Sequence, residues 1–236
     1  MDNHKIVVRQ AIEADKVFSK TITDEMAASA AARGTGIATR TPDYIEKKID
    51  EGKAVIALTD KNEWVGFCYI ETWSHGEYVA NSGLIVAPPF RKSGVAKTIK
   101  QKIFNLSREK YPDSKIFGLT TGLAVMKINS DLGYEPVTYS ELTQDEAFWA
   151  GCKSCVNYEI LVSKERKNCM CTAMLYDPKD HYAPEVTRKY FKENAKGFER
   201  LLRFKRWKLL RPFLKKEKND NNGGKPKSFF HYFFNL

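Results

Sequence analysis

The segment VAPPFRKSGVAKT, residues 86–98, joins a predicted strand to a predicted helix. The branched apolar residues of YVANSGLIV (78–86) predict the strand. After the segment, four apolar residues recur at helical spacing: Val95, Ile99, Ile103 and Leu106. The first N–H groups of a helix lack intrahelical partners and favour an anion. The segment therefore predicts either a phosphate-binding loop or an ordinary strand-to-helix turn.

The strands around this segment indicate the fold class. Three strands joined by short turns, which predict an antiparallel meander, are AVIALTD (54–60), EWVGFCYIETW (63–73) and YVANSGLIV (78–86). The helix after residue 94 leads into a further strand, KIFGLTT (115–121), and such a strand-helix-strand unit requires a right-handed parallel crossover. Together these elements predict an α+β fold with a mixed, mostly antiparallel central sheet flanked by helices.

The remaining elements of the predicted fold are shorter. KIVVRQA (5–11) predicts a first strand, and residues 13–32 have a helical pattern. A short helix begins at the cap Thr41 and stops at Gly52. LAVMKINSDLG (123–133) predicts another short helix, and YEPVTY begins a last strand.

Charge separates the chain into a balanced body and a basic C-terminal part. Of the net charge of +10, most lies after residue 175, where 16 Lys and Arg face seven Asp and Glu. We predict a domain at 1–177 with a Cys-rich end at 149–175, a basic amphipathic helical extension at 178–214, and a flexible tail at 215–236 with an aromatic C-terminus. The extension either docks on its own domain or associates with an anionic membrane surface, nucleic acid or a partner. No specific nucleic-acid binding is expected of the body.

The chain shows no targeting or membrane-spanning pattern. It contains no run of about 18 apolar residues, and MDNHKIVVRQ lacks the features of a signal peptide. Its five cysteines are expected to be reduced. These features predict a cytoplasmic protein.

Four of the cysteines have a spacing that suits a metal site. Cys152 and Cys155 are three residues apart, and Cys169 and Cys171 are two apart. Four thiolates bind zinc tetrahedrally and leave no open position, so such a site would be structural. The alternative is that these thiols are ordinary core residues.

Residues 86–98 resemble the acyl-CoA loop of the GNAT N-acyltransferases. The matching residues are Val86, Pro88, Phe90, Arg91, Gly94 and Ala96, and the later Leu132-Gly133-Tyr134-Glu135-Pro136 is similar to the closing Gly-Phe/Tyr motif of that family. The resemblance covers roughly residues 5–140. It implies that acetyl-CoA, or another acyl-CoA such as succinyl-CoA, is bound by the following residues: Leu84, Ile85, Val86, Arg91, Lys92, Ser93, Gly94, Val95 and Ala96.

Further segments are similar to stand-alone N-acetylglutamate synthase-type domains. These segments are RGTGIATRTPDYIEKKIDEGKAVIALTD, IFGLTTG and FWAGCKSC…CMCTAM. The resemblance implies acyl transfer to the α-amine of an amino acid, above all L-glutamate, in arginine biosynthesis. It implies that Arg40 binds the carboxylate of the acceptor, beside Thr120 and Thr121. A second arginine of those synthases is replaced by Gly122, which leaves open another acidic acceptor or an acyl group larger than acetyl.

The usual acid and base of the family are missing from this chain. Residues 79–82, where the base is often found, contain no carboxylate, which leaves His75, Glu77 and Glu71 as candidates. Asn129 stands where the family has its acid tyrosine. Two alternatives therefore stay open: a protein or peptide N-acetyltransferase, and a catalytically inactive acyl-CoA-binding regulator. Assembly into a homodimer is also left open.

Overall fold

A computed structural model describes residues 5–34 and 40–181 of the chain. Within these residues seven strands form one sheet in the order β1-β2-β3-β4-β5-β7-β6. The strands are β1 (Ile6–Gln10), β2 (Ala54–Thr59), β3 (Trp64–Trp73), β4 (Tyr78–Val86), β5 (Lys115–Thr120), β6 (Glu135–Val137) and β7 (Thr172–Tyr176).

Helices cover both faces of this sheet. The α-helices are α1 (Ser19–Arg33), α2 (Pro42–Asp50), α3 (Val95–Lys110), α4 (Leu123–Asp131), α5 (Glu146–Ala150), α6 (Tyr158–Ser163) and α7 (Pro178–His181). Short 3-10 segments lie at Glu13–Phe18, Ser74–Gly76, Pro88–Phe90, Tyr139–Glu141 and Gly151–Ser154. None of the described helices is long and apolar enough to cross a membrane.

The predicted meander and crossover are confirmed. Strands β1 to β4 pair antiparallel in sequence order, and β4 pairs parallel with β5 through the crossover helix α3. The α+β class and the mixed, mostly antiparallel sheet are therefore as expected. Strand β7 is an addition, because it inserts between β5 and β6 and pairs antiparallel with both.

The two faces of the sheet carry different cores. On one face α3 buries its apolar stripe, with Ile99 and Ile103 fully buried against β2, β3 and β4. On the other face α1 and α2 pack through Ile22 and Ile45. A third cluster, on β5, β7 and the segment 139–161, completes the core. The predicted basic extension and tail lie outside the described residues from position 182 onward.

Candidate functional site

Strands β4 and β5 separate part-way along their length. They pair only from Tyr78 to Ala80 on β4, opposite Lys115 to Phe117 on β5. Beyond this point β4 continues on β3, and β5 continues on β7. Among the described strands, none pairs with the edge of β4 that faces β5 over residues 81–86, and a wedge-shaped gap opens in the sheet.

A bulge in β4 lies at this gap. Ser82 pairs with Tyr69 and Ile85 with Phe67, so β4 has one more residue than β3 between these pairs. Gly83 has a φ of 63°, and a Cβ at this position would lie 2.3 Å from Cε1 of Tyr69. Only glycine fits here without displacement. A glycine within an apolar strand is the sequence signal for such a bulge, whereas the apolar pattern of residues 78–86 predicts only a strand.

A cavity of about 530 Å³ lies beside the gap. Its walls come from α2, β3, β4, β5 and the segment 139–171. The predicted site residues that line it are Arg40, Leu84, Thr120, Thr121, Cys152, Cys155, Cys169 and Cys171. The structure thus brings the predicted carboxylate-binding arginine and the two threonines to one cavity with a residue of the predicted acyl-CoA strand.

A charged cluster forms the polar end of the cavity. Nε of Arg40 donates to the hydroxyl of Tyr69 at 2.9 Å, and its NH2 lies 3.5 Å from Oε1 of Glu71. Nζ of Lys48 lies 3.4 Å from Oε2 of Glu71, and the hydroxyl of Tyr44 donates to Oε1. Lys48 also lies 3.8 Å from Glu51, so two carboxylates share it. Arg40 is the cation of this cluster that lines the cavity.

The surroundings keep Arg40 and the two phenols of this cluster in their usual protonated forms. Burial lowers the pKa of Arg40, but its interactions with Tyr69, Tyr44 and Glu71 outweigh this and raise it. Burial, with the hydrogen bond to Glu71, raises the pKa of Tyr44, and burial raises that of Tyr69 to about 12. The cluster therefore presents a guanidinium and two neutral hydroxyls at neutral pH.

Local sequence explains how this cluster forms. Thr41 caps α2 by accepting from the N–H of Tyr44, with Pro42 at the start of the helix. Tyr44 and Lys48 are then one helical turn apart. Sequence reasoning missed both of them and Tyr69. The sequence nevertheless contained a signal for this cluster: Glu71 is a charged residue within a largely apolar strand, and a buried carboxylate needs partners.

The loop before α3 has the backbone geometry expected where a phosphate group approaches the main chain closely. Lys92 and Gly94 have φ values of 66° and 87°, and a Cβ on Gly94 would meet nothing within 4 Å. Ser93 is exposed, and the first N–H groups of α3 follow at Val95 and Ala96. None of these residues lines the cavity, and neither do Ile85 and Val86.

Arg91 is engaged within the protein. Its Nε donates to the carbonyl of Val86 at 3.0 Å, and its NH2 donates to Glu25 at 2.6 Å and Ser29 at 2.8 Å. These contacts tie the loop to α1. That the charge of Arg91 acts on a bound pyrophosphate stays a prediction.

Three candidates for acid and base lie away from the cavity. His75 and Glu77 are exposed in the turn between β3 and β4, where β4 and β5 are still paired. Asn129 is 1% exposed beneath the sheet, with Nδ2 3.7 Å from Sδ of Met174. Of the acid and base candidates, the structure brings only Glu71 to the cavity.

The four cysteines between residues 152 and 171 also line the cavity, as does Tyr139. The hydroxyl of Tyr139 donates to the carbonyl of Cys171 and lies 2.8 Å from Sγ of Cys169. Burial, with the neighbouring thiols, raises the pKa of Cys152 to about 11 and that of Cys171 to about 12. Over residues 5–34 and 40–181, no group of three or more His, Cys, Asp or Glu side chains is arranged to hold a metal ion. The zinc prediction therefore finds no support in the structure.

A buried polar network lies under the gap, on the α3 face. Nζ of Lys100, which is 2% exposed, donates to Oδ1 of Asn81 at 3.3 Å. The amide of Asn81 donates to Ser107 at 2.7 Å, and the hydroxyl of Tyr134 also donates to its Oδ1. Burial lowers the pKa of Lys100 to about 8. The apolar stripe of α3 gave no sign that a lysine on this helix is buried.

Comparison with known proteins gives matches among solved structures. No family model and no curated protein matches the chain. N-acetylglutamate synthase from Neisseria gonorrhoeae, complexed with coenzyme A and N-acetylglutamate, superposes with a TM-score of 0.52 at 18% identity. The match covers 75% of this chain but only 36% of the synthase.

Two shorter proteins match over nearly their whole length. A Mycobacterium tuberculosis protein in complex with CoA has a TM-score of 0.51 at 17% identity, over 72% of this chain and 98% of its own. YncA of Salmonella typhimurium, solved with its cofactor acetyl-CoA, has a TM-score of 0.51 at 14% identity, over 77% of this chain and 98% of its own. At such identities the likeness concerns the fold.

Proposed function

We propose, from the GNAT fold that the chain shares with these structures, that it is an acyl-CoA-dependent N-acyltransferase. The observation that carries the proposal is the gap between β4 and β5 beyond Ala80 and Phe117. Within residues 5–34 and 40–181, no strand pairs with the backbone groups of β4 that face the gap, and such groups bind an extended ligand by main-chain hydrogen bonds. The gap adjoins the cavity that contains Arg40.

The residues of the loop fit the phosphates of an acyl-CoA. Gly94 leaves open space where a side chain would stand, and Lys92 precedes it with a positive φ. The N–H groups of Val95 and Ala96 lie at the positive end of α3. We propose that an acetyl group, or a succinyl group, is carried by the bound acyl-CoA.

The polar end of the cavity supports an amino acid as the acceptor. Arg40 brings a guanidinium to the cavity, and this group binds carboxylates by charge-assisted hydrogen bonds. Thr120 and Thr121 line the same cavity. Among amino acids, L-glutamate is suggested by the sequence resemblance alone; it would make the reaction the first step of arginine biosynthesis, in the cytoplasm.

The reaction requires little of the protein beyond placing the amine next to the thioester. The neutral amine attacks the thioester carbonyl, a C–N bond forms and the C–S bond breaks; the nitrogen loses one proton and the departing thiolate gains one. We assign Glu71 a positioning role, because its carboxylate pairs with Arg40 at the cavity. An exchange Glu71→Gln should then raise the KM for the acceptor more than it lowers kcat.

The proposal is tested with the full chain, a set of acyl-CoA donors and a set of amino acids. Release of CoA thiol and the mass of the product are measured. Arg40→Gln should raise the KM for the acceptor at least ~10-fold and leave the KM for acetyl-CoA within about twofold, because it removes a charge-assisted contact of ~1.5–3 kcal/mol. Arg166→Gln is the matched control, since Arg166 is exposed and paired with Glu146 on the surface.

Two other outcomes would replace the proposal. Acylation of a short peptide at its N-terminus, with no turnover of free amino acids, would indicate a peptide or protein N-acetyltransferase. Binding of acetyl-CoA without turnover of any acceptor would indicate a catalytically inactive regulator.

A further inference from the structure

The cavity that Arg40 lines also has a large apolar surface. Of the described residues that line it, Arg40 and Glu71 are the only ones with a charged side chain. Much of the remaining lining consists of aromatic and aliphatic side chains. We call the group Trp73, Phe117, Leu119, Phe148 and Tyr158 the apolar compartment.

The apolar compartment is rigidly built around Phe148. Its ring packs edge-to-face on three others, with centroids 5.6 Å from Trp73, 5.0 Å from Phe117 and 4.9 Å from Trp149. Phe148 and Trp73 are nevertheless only half-buried, so they keep surface that faces the cavity. Aromatic pairs of this geometry are stable, so the compartment exists before any ligand binds.

The helix that carries Phe148 is itself anchored. Asp145 caps α5 by accepting from the N–H of Ala147 at 2.9 Å, and its other oxygen accepts from the N–H of Ser74 at 3.2 Å. The indole N–H of Trp149 donates to the carbonyl of Thr143 at 2.9 Å. These bonds tie the segment 143–149 to the end of β3, next to Trp73.

The apolar compartment adjoins the charged cluster. Trp73 follows Glu71 by two residues on β3, and Phe117 pairs with Ala80, which itself pairs with Glu71. An α-amino acid whose carboxylate binds Arg40, the ion-pair partner of Glu71, therefore reaches the apolar compartment with its side chain. An acidic side chain would bring a second carboxylate to a region where the described lining offers no cation, which is unfavourable. An apolar side chain would gain by leaving water.

We propose that the apolar compartment binds the side chain of the acceptor, and that the acceptor is an α-amino acid with an aromatic or large aliphatic side chain. This inference rests on the proposed N-acyltransferase function and on Arg40 as the carboxylate site. It places the acceptor of this chain outside the acidic class that the sequence resemblance suggests.

The acceptor class is tested by kcat/KM for five amino acids at saturating acetyl-CoA: L-phenylalanine, L-leucine, L-glutamate, L-aspartate and L-alanine. We expect the value for L-phenylalanine to exceed those for L-glutamate and L-alanine by roughly 10-fold or more, as burial of an aromatic ring predicts. Phe148→Ala should lower the preference for L-phenylalanine over L-alanine by roughly 10-fold, through KM.

Phe104→Ala is the matched control for the loss of a packed ring. Phe104 is half-buried against Tyr134 and Tyr176 on the α3 face, and it does not line the cavity. This variant should keep the preference of the wild type. A preference for L-glutamate, or an unchanged preference in Phe148→Ala, would overturn the inference and leave the N-acyltransferase function standing.

A binding measurement separates the two proposals if no amino acid is acylated. Calorimetry with the CoA-loaded wild-type chain compares N-acetyl-L-phenylalanine with N-acetyl-L-glutamate. Tighter binding of N-acetyl-L-phenylalanine supports the apolar compartment even where turnover fails and the catalytic proposal falls. Equal binding, or tighter binding of N-acetyl-L-glutamate, refutes it.

Discussion

The buried lysine of α3 makes the stability of this chain depend on pH in a specific way. Lys100 is 2% exposed and hydrogen-bonded to Asn81, and burial lowers its pKa from 10.5 to about 8. In the unfolded chain the pKa returns to its ordinary value. A difference of about 2.5 pKa units corresponds to a cost of about 3 kcal/mol for the charged form in the folded state.

The sign of this pH dependence follows from the number of protons that the folded and unfolded states bind. Between pH 8 and pH 10.5 the unfolded chain holds a proton on Lys100 that the folded chain has lost, so the free energy of unfolding rises with pH. Below pH 8 both states are protonated and the full cost is present. The Cys68 thiol on β3, which lowers this cost when ionised, has a pKa raised by burial to about 11 and stays protonated up to about pH 10.

Lys100→Met isolates this contribution from the other groups that titrate in the same range. Urea unfolding is followed at pH 7 and pH 10 for the wild type and the variant. We expect the wild type to gain about 2 to 3 kcal/mol relative to Lys100→Met between the two pH values. Lys102→Met, an exposed lysine on the same helix, should show no such gain. Parallel pH dependences of the wild type and Lys100→Met would refute the reasoning.

Three further predictions concern the gap and the charged cluster. Gly83→Ala should lower the free energy of unfolding by about 1–3 kcal/mol in urea and raise the KM for acetyl-CoA, because the added Cβ meets the ring of Tyr69. Arg91→Met should raise the Kd for CoA several-fold by calorimetry, with a loss of about 1 kcal/mol in stability, because it removes three hydrogen bonds that hold the loop. Glu71→Gln should lower the free energy of unfolding by about 3 kcal/mol at pH 7, because Arg40 and Lys48 lose the negative charge of Glu71. An unchanged urea midpoint in any of these three variants would contradict the packing described here.

Much of the fold could be predicted because its signals are local. The cap at Thr41, the stripe of Ile99 and Ile103, and the three strands before residue 86 each depend on neighbours within one or two turns. Strand β7 was missed because its five residues follow closely spaced cysteines and have too short a pattern. Its partners, β5 and β6, lie more than 30 residues away in the sequence.

The amino-acid sequence alone was sufficient to predict the meander, the parallel crossover and the loop at Gly94, since periodicity and turn chemistry act over short distances. It also predicted Arg40, Thr120 and Thr121 as site residues, and all three line one cavity. The long-range packing of the chain determined the rest: that Arg91 pairs with Glu25, that His75 lies outside the cavity, and that Phe148 lines it. Those relations depend on which segments meet in space, and burial and charge pairing between distant segments are not encoded in any local pattern.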